Sequence, residues 1–184
     1  RLQDAMEEDL LCPFHYFGIT DLEVISDVGK TVQEKEENFR YLTSDERVYN
    51  IMKQAQFFGY SGERVKGLIF CSRIDEAKLS VDIFSEGVDV PEINQVIMLR
   101  PTESPIIFIQ QLGRGLRKAE GKEFVVIIDF IGNYRKNFMI PIALSGDRSY
   151  NKDNIRRYVT EGGRIIPGAS TVHFDKISRQ KIFQ

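Results

Sequence analysis

Two arginines, Arg114 and Arg117, are the side chains in this sequence best placed to do chemistry. They sit in the stretch Gln110-Gln111-Leu112-Gly113-Arg114-Gly115-Leu116-Arg117. A guanidinium is permanently charged and presents a planar fork of donors that matches phosphate oxygens two at a time. On a continuing helix Gln110, Arg114 and Arg117 fall at i, i+4 and i+7, so an amide and two cations share one stripe. A glycine inside a helix costs about 1 kcal/mol relative to alanine. Gly113 and Gly115, on either side of Arg114, therefore imply a close approach to the backbone or a helix that ends here. The stretch reads as a phosphate sensor at a helix end. Taken in isolation, it reads more readily as a solvated basic helix end.

The flanking sequence must position these residues. Ser104-Pro105 supplies a helix start, with serine as cap and proline at the first helical position. Ile106, Ile107 and Ile109 are the expected core-facing side. A strand is expected over 94–99 and another over 123–130, with Asp129 at its carboxyl end, where functional side chains gather in open α/β sheets. The alternative for Asp129 is a strand-end acid that bonds a loop backbone. Upstream, Val65 to Cys71 is nearly all apolar and predicts a strand buried on both faces. Thr43 and Glu46 form a capping box before a helix whose Val48, Ile51, Met52, Ala55 and Phe58 recur at helical spacing, ended by Gly59 and Gly62. Residues 1–11 predict a short helix with Leu2, Ala5, Met6 and Leu10 on one side. Pro13 to Ile19 predicts an aromatic strand in which His15 is a hydrogen-bonded sheet histidine. Residues 26–38 predict a loop.

One junction breaks the pattern. Ser72 to Leu79 begins a capped helix, yet Ser80 to Phe84 already reads as a strand. A parallel crossover needs a dozen or more residues, so a segment of chain is expected to be missing between Leu79 and Ser80. After residue 132 the character changes. Asn151 is the expected cap of a basic helix carrying Ile155, Arg156, Arg157, Tyr158 and Val159. Ile165 to Val172 is strand-like and Asp175 to Phe183 a final helix. His173 is expected to pack beside Phe174.

With 184 residues and 42% hydrophobic content, the chain can bury one ordinary core. It has no apolar run long enough for a membrane span. Cys12 and Cys71 are far apart and predict buried thiols in a reducing, cytoplasmic setting, with a disulfide as the alternative. No His, Cys or acidic cluster has metal-ligand spacing. The net charge of −2 gives no global basic field. The charge is unevenly spread: residues 1–64 carry 13 acids and 7 bases, whereas residues 132–184 carry 4 acids and 10 bases. A basic end fits a local polyanion-binding face, and ordinary surface charge fits it equally.

The order of these pieces resembles the second RecA-like domain of a bacterial superfamily-two DEAD/DEAH-type DNA helicase, in the branch of restriction-enzyme motor subunits and UvrB- or XPB-type helicases. Gly67 to Arg73 is similar to motif IV, Asp82 to Pro91 to motif V, and Gln110 to Arg117 to the motif VI pattern Q-x-x-G-R-x-x-R. The resemblance covers roughly residues 65–131. It implies an α/β fold, a RecA-like parallel sheet flanked by helices, with a small C-terminal α+β extension. It divides the chain into a linker segment (1–40), the motor domain (41–131) and a basic accessory extension (132–184). It implies that Arg114 and Arg117 are an arginine pair reaching the γ-phosphate of ATP, with Gln110, Gly113, Gly87 and Asp89 on the nucleotide side. Ser72 and Arg73 would contact a nucleic-acid backbone, and the basic tail would add contacts through Arg135, Lys136, Arg156 and Arg157.

The sequence contains no G-x-x-x-x-G-K-[ST] loop and no D-E-x-[HD] run. ATP and Mg²⁺ are therefore expected to bind mainly on an N-terminal RecA-like domain of the same protein, which is the implied partner together with DNA rather than RNA. No cofactor is expected on this chain alone, and it should not hydrolyse ATP alone. The alternative is a catalytically inert helicase-like module that binds nucleic acid or protein.

Overall fold

A computed structural model of the chain describes residues 2–21, 44–71, 91–99, 104–130, 139–145, 151–161, 169–176 and 178–179. The junction between Leu79 and Ser80, the loop 26–38 and the strand expected at 80–84 lie outside the described residues. The described elements are α1 (Leu2–Glu7), β1 (Phe14–Ile19), α2 (Asp45–Phe58), β2 (Gly67–Phe70), β3 (Gln95–Met98), α3 (Pro105–Gly115), β4 (Val125–Phe130), α4 (Met139–Ser145), α5 (Lys152–Glu161) and β5 (Thr171–Phe174).

The strands form one parallel sheet in the order β2-β3-β4-β1-β5. The α/β class expected from the sequence is therefore present. Strand β1 lies between β4 and β5, with Phe14 opposite Val125 and His15 opposite Thr171. The first and last parts of the chain thus share a sheet with the middle. Alternation along the strands separates two apolar layers. Phe14, Tyr16, Val96, Met98, Val125 and Ile127 pack against α1, α3, α4 and α5. On the other face Ile97, Val126, Ile128 and Phe130 pack against Ile51 and Ala55 of α2.

Several expectations shift by a residue or a face. The cap of α2 is Ser44, whose hydroxyl accepts from the Arg47 amide at 3.3 Å, rather than Thr43. Leu10 lies beyond the end of α1 and is exposed, so the apolar side of that helix is Leu2 and Met6. Strand β2 is only half-buried, because it stands at the end of the described strand order. A continuous apolar run does not distinguish an interior strand from such a position. His15 Nδ1 lies 2.9 Å from Thr171 Oγ1 across the β1–β5 ladder, as expected of a sheet histidine. His173 stacks on Phe17 at 5.6 Å rather than on Phe174, since neighbours on a strand point to opposite faces.

The sequence pattern did not single out Arg47. Its side chain is 2% exposed and its Nε donates to Asp21 Oδ2 at 2.8 Å, joining α2 to the end of β1. At the other end of α2, the buried Gln95 donates to the carbonyls of Ala55 and Gly59, both at 2.8 Å, and so satisfies the helix terminus from the sheet.

Candidate functional site

Helix α3 leaves the carboxyl end of β3 and runs back along the sheet. Eleven residues at a rise of about 1.5 Å per residue span about 16 Å, slightly more than four strand residues at about 3.3 Å each. The helix therefore ends at the amino-terminal edge of the strands. Its buried side is Phe108, Gln111, Leu112 and Gly115. Ile106 and Ile107, expected to face the core, are 69% and 44% exposed. The apolar triplet was ambiguous at helical spacing, and the bulkier Phe108 with Leu112 takes the sheet.

The two glycines have different roles. A Cβ on Gly115 would stand 2.7 Å from Val96 Cγ2, with Ile93 and Val125 also in contact. Here the close approach is that of the sheet itself. A Cβ on Gly113 would meet nothing within 4 Å, so that position leaves the surface beside Arg114 open. Gln110 and Arg114 are exposed one turn apart, as the helical stripe predicts. Arg117 is also exposed but lies beyond the helix, which ends at Gly115 with Leu116 as its cap.

The chain past the helix end is tightly held. Cys12 N donates to Leu116 O at 2.8 Å. Lys122 Nζ donates to Gly115 O at 2.7 Å, to Arg117 O at 2.6 Å and to Pro91 O at 2.9 Å. Burial pushes the Lys122 ammonium down from its ordinary pKa, while the Cys12 thiol beside it pulls the other way. Burial likewise raises the Cys12 thiol, against the opposing pull of Lys122 and Lys118. On the same edge, Asn94 donates to Ser61 O at 2.5 Å and Arg64 O at 2.7 Å and accepts from Lys66 N at 2.8 Å. The arginine-bearing helix end, the Pro91–Asn94 segment and the 61–66 turn therefore meet at one place.

Asp129 lies at the opposite, carboxyl edge and is 1% exposed. Its Oδ2 accepts from Tyr16 Oη at 2.8 Å across the β1–β4 ladder. Among the residues expected to act, Gln110, Gly113 and Arg114 lie on α3 and Arg117 lies two residues past its end. Gly87, Asp89, Ser72, Arg73, Arg135 and Lys136 lie outside the described residues. Arg156 and Arg157 are exposed on α5, whose Ile155, Tyr158 and Val159 are buried and whose cap is Asn151, accepting from Asp153 N at 2.9 Å. Helix α5 packs on α4, and α4 on α3, so this basic face belongs to the same helical layer. Among the described residues no three His, Cys, Asp or Glu side chains come together as a metal site would require. No described helix is long and apolar enough to cross a membrane.

Residues 72–119, which include the whole arginine stretch, match the family model of the helicase conserved C-terminal domain. IRC3 of Saccharomyces cerevisiae, whose name is that of an ATP-dependent helicase, is 40% identical over 74 residues, covering 40% of this chain and 11% of IRC3. MJ1505 of Methanocaldococcus jannaschii, named as an ATP-dependent RNA helicase, is 28% identical over 123 residues, covering 56% of this chain and 16% of that protein. The chain thus spans a small part of the length of these relatives. The DNA-bound Type ISP restriction-modification enzyme LlaBIII overlays with a TM-score of 0.49 at 15% identity, over 98% of this chain and 17% of that one.

Lys122 and Gln95 were missed by sequence reasoning. A lysine in Gly121-Lys122-Glu123 looks like any solvated turn residue, and only the fold shows that its ammonium reaches carbonyls five, seven and thirty-one residues away.

Proposed function

We propose that this chain is the C-terminal motor half of an ATP-dependent DNA helicase or translocase, working in the cytoplasm of a bacterial cell. The observation that carries the reading is the coincidence of the helicase C-terminal match with an exposed Arg114 and Arg117 at a helix end fixed to the sheet. Arg114 and Arg117 project guanidinium groups from that end toward the γ-phosphate of ATP. Gln110 and the open backbone at Gly113 lie on the same approach. Gly87 and Asp89 complete the nucleotide side, and Ser72 and Arg73 hold a nucleic-acid backbone. ATP with its Mg²⁺ is cradled on an N-terminal RecA-like domain, since the phosphate loop and the acidic box are sequence features this chain lacks.

The chemistry asked of this half is electrostatic. Charge spreads over the phosphoryl oxygens in the transition state, and an arginine placed there is worth about 10³ to 10⁵ in rate in nucleotide hydrolases. It must arrive already oriented, because a preorganised donor needs no rearrangement at the moment of reaction. A helix end locked by Gly115 against Val96 supplies that rigidity. The exposed Arg156 and Arg157 of α5 add phosphate contacts that make nucleic-acid affinity fall steeply with salt.

The reading is tested in the full-length protein by measuring DNA-stimulated ATP turnover for Arg117→Ala, with unfolding measured alongside. Loss of turnover with an unchanged fold is expected. Normal turnover overturns the motor assignment and leaves the inert binding module in its place. Turnover stimulated by single-stranded RNA and not by DNA overturns the choice of DNA alone.

A further inference from the structure

We infer that Lys122 is a positioning residue for the arginine pair, clamping the end of α3 to the segment that leads into β3. The inference rests on the reading of Arg114 and Arg117 given above.

An ammonium group has three hydrogens and no acceptor. Lys122 directs its group at three main-chain carbonyls, those of Pro91, Gly115 and Arg117, at 2.9, 2.7 and 2.6 Å. Surface lysines ordinarily leave these hydrogens to water. The last carbonyls of a helix lack intrahelical partners and carry the negative end of its dipole, so a cation is favoured there. Hydrogen bonds from a charged donor are roughly twice as strong as neutral ones. The Leu116 carbonyl, between two of these acceptors, is taken by Cys12 N at 2.8 Å. Three successive carbonyls, those of Gly115, Leu116 and Arg117, are thus held from outside the helix. The main chain around Arg117 is fixed while its side chain emerges exposed.

The third bond gives the clamp its reach. Pro91 closes the Asp82–Pro91 stretch, and Lys122 ties its carbonyl to the arginine helix. These two segments cannot separate without breaking bonds to the same ammonium. The position of Arg117 is therefore coupled to that of the loop before β3, whereas Arg114 is set chiefly by the helix. A misplacement of about 1 Å costs on the order of 10²-fold in rate when a group must meet its target in one geometry.

The test uses the full-length protein and DNA-stimulated ATP turnover. Lys122→Met keeps most of the length of the side chain and removes its donors. Its kcat is expected to fall about ten- to a hundredfold with KM for ATP changed less than about twofold, the split that marks an interaction used in the transition state. Lys122→Arg, which keeps a cation and its donors, is expected to restore most of the rate. The double variant Arg117→Ala/Lys122→Met is expected to be no slower than Arg117→Ala, because the lysine acts through the arginine. Wild-type kcat in Lys122→Met, or losses that multiply in the double variant, overturns the inference. If Lys122→Met does not fold, Lys122→Leu, which also lacks donors, takes its place with the same expectations. The two readings fail differently: normal Lys122→Met beside an inactive Arg117→Ala removes only the clamp, whereas a normal Arg117→Ala removes the arginine assignment and the clamp with it.

Discussion

Arginine is used in two opposite ways in this molecule. Arg47 is 2% exposed, with Asp21 at 2.8 Å, and joins α2 to the end of β1, which lies between β4 and β5. Arg114 and Arg117 stand exposed at and just past the end of α3, where Lys122 holds the carbonyls of Gly115 and Arg117. A buried guanidinium has left water and requires its counter-charge to exist at all. An exposed one on a fixed backbone keeps its charge available for a ligand. The difference lies in where the fixation is applied: to the side chain at Arg47, to the backbone at Arg117. The same residue type therefore builds the fold at one place and leaves it nearly untouched at the other.

The contrast breaks most readily through stability. Arg47→Ala removes a buried guanidinium from beside Asp21 and is expected to cost about 3–5 kcal/mol in urea unfolding. Arg114→Ala is expected to change the same measurement by less than about 0.5 kcal/mol. A small effect at Arg47, or a large one at Arg114, removes the distinction.

The two glycines sharpen it next. Gly115→Ala drives a methyl into Val96 and is expected to cost about 1–3 kcal/mol. Gly113→Ala points into open space and is expected to gain up to about 1 kcal/mol from helix propensity. In the proposed motor this gain in stability comes with slower turnover, since the methyl narrows the approach beside Arg114.

Charges that build the fold also leave a trace in its pH dependence. Burial pushes the Asp175 carboxyl up, but bonds from the amides of Ser178 and Thr20, both at 2.6 Å, and from their hydroxyls outweigh it and hold the group below its ordinary value. A folded pKa below the unfolded one gives stability that is present above about pH 4 and lost as pH falls through the folded value. Asp175→Asn is expected to cost about 0.5–2 kcal/mol at pH 7 as a weakened helix cap. Its deficit relative to the parent should shrink on acidification in thermal unfolding at pH 7 and pH 3. A deficit independent of pH contradicts this role.

The smallest effect concerns a polar group inside the helical layer. Tyr158 is 2% exposed, its hydroxyl has no hydrogen-bond partner among the described residues, and burial pushes its pKa up. Tyr158→Phe removes an unsatisfied group and is expected to leave stability unchanged or raise it by about 1 kcal/mol. A loss of more than about 1 kcal/mol would show that the hydroxyl is satisfied after all.

The sequence made legible what depends on neighbours along the chain. The strands at 94–99 and 123–130, the helix starts at Ser104 and Asn151, and the Gln110–Arg114 stripe follow from periodicity and capping over a few residues. It did not make legible what depends on neighbours across the sheet. Nothing near Gly115 in the chain announces Val96, and nothing near Lys122 announces Pro91. Ile106 and Ile107 are as apolar as Phe108 and Leu112, so spacing alone could not decide which pair the sheet would cover. Asp129 drew attention at the carboxyl edge, where its bond to Tyr16 places it in the packing between strands. The residues brought together around Arg114 lie at the other edge, because α3 runs back along the sheet before it ends.

The most direct test of the central claim takes two readings on the same full-length protein carrying Arg114→Ala and Arg117→Ala together: the unfolding midpoint and the DNA-stimulated ATP turnover. An essentially unchanged midpoint is expected, with turnover reduced by about 10³-fold or more. Turnover within a few-fold of the parent, or a midpoint that collapses as expected for Arg47→Ala, would contradict it.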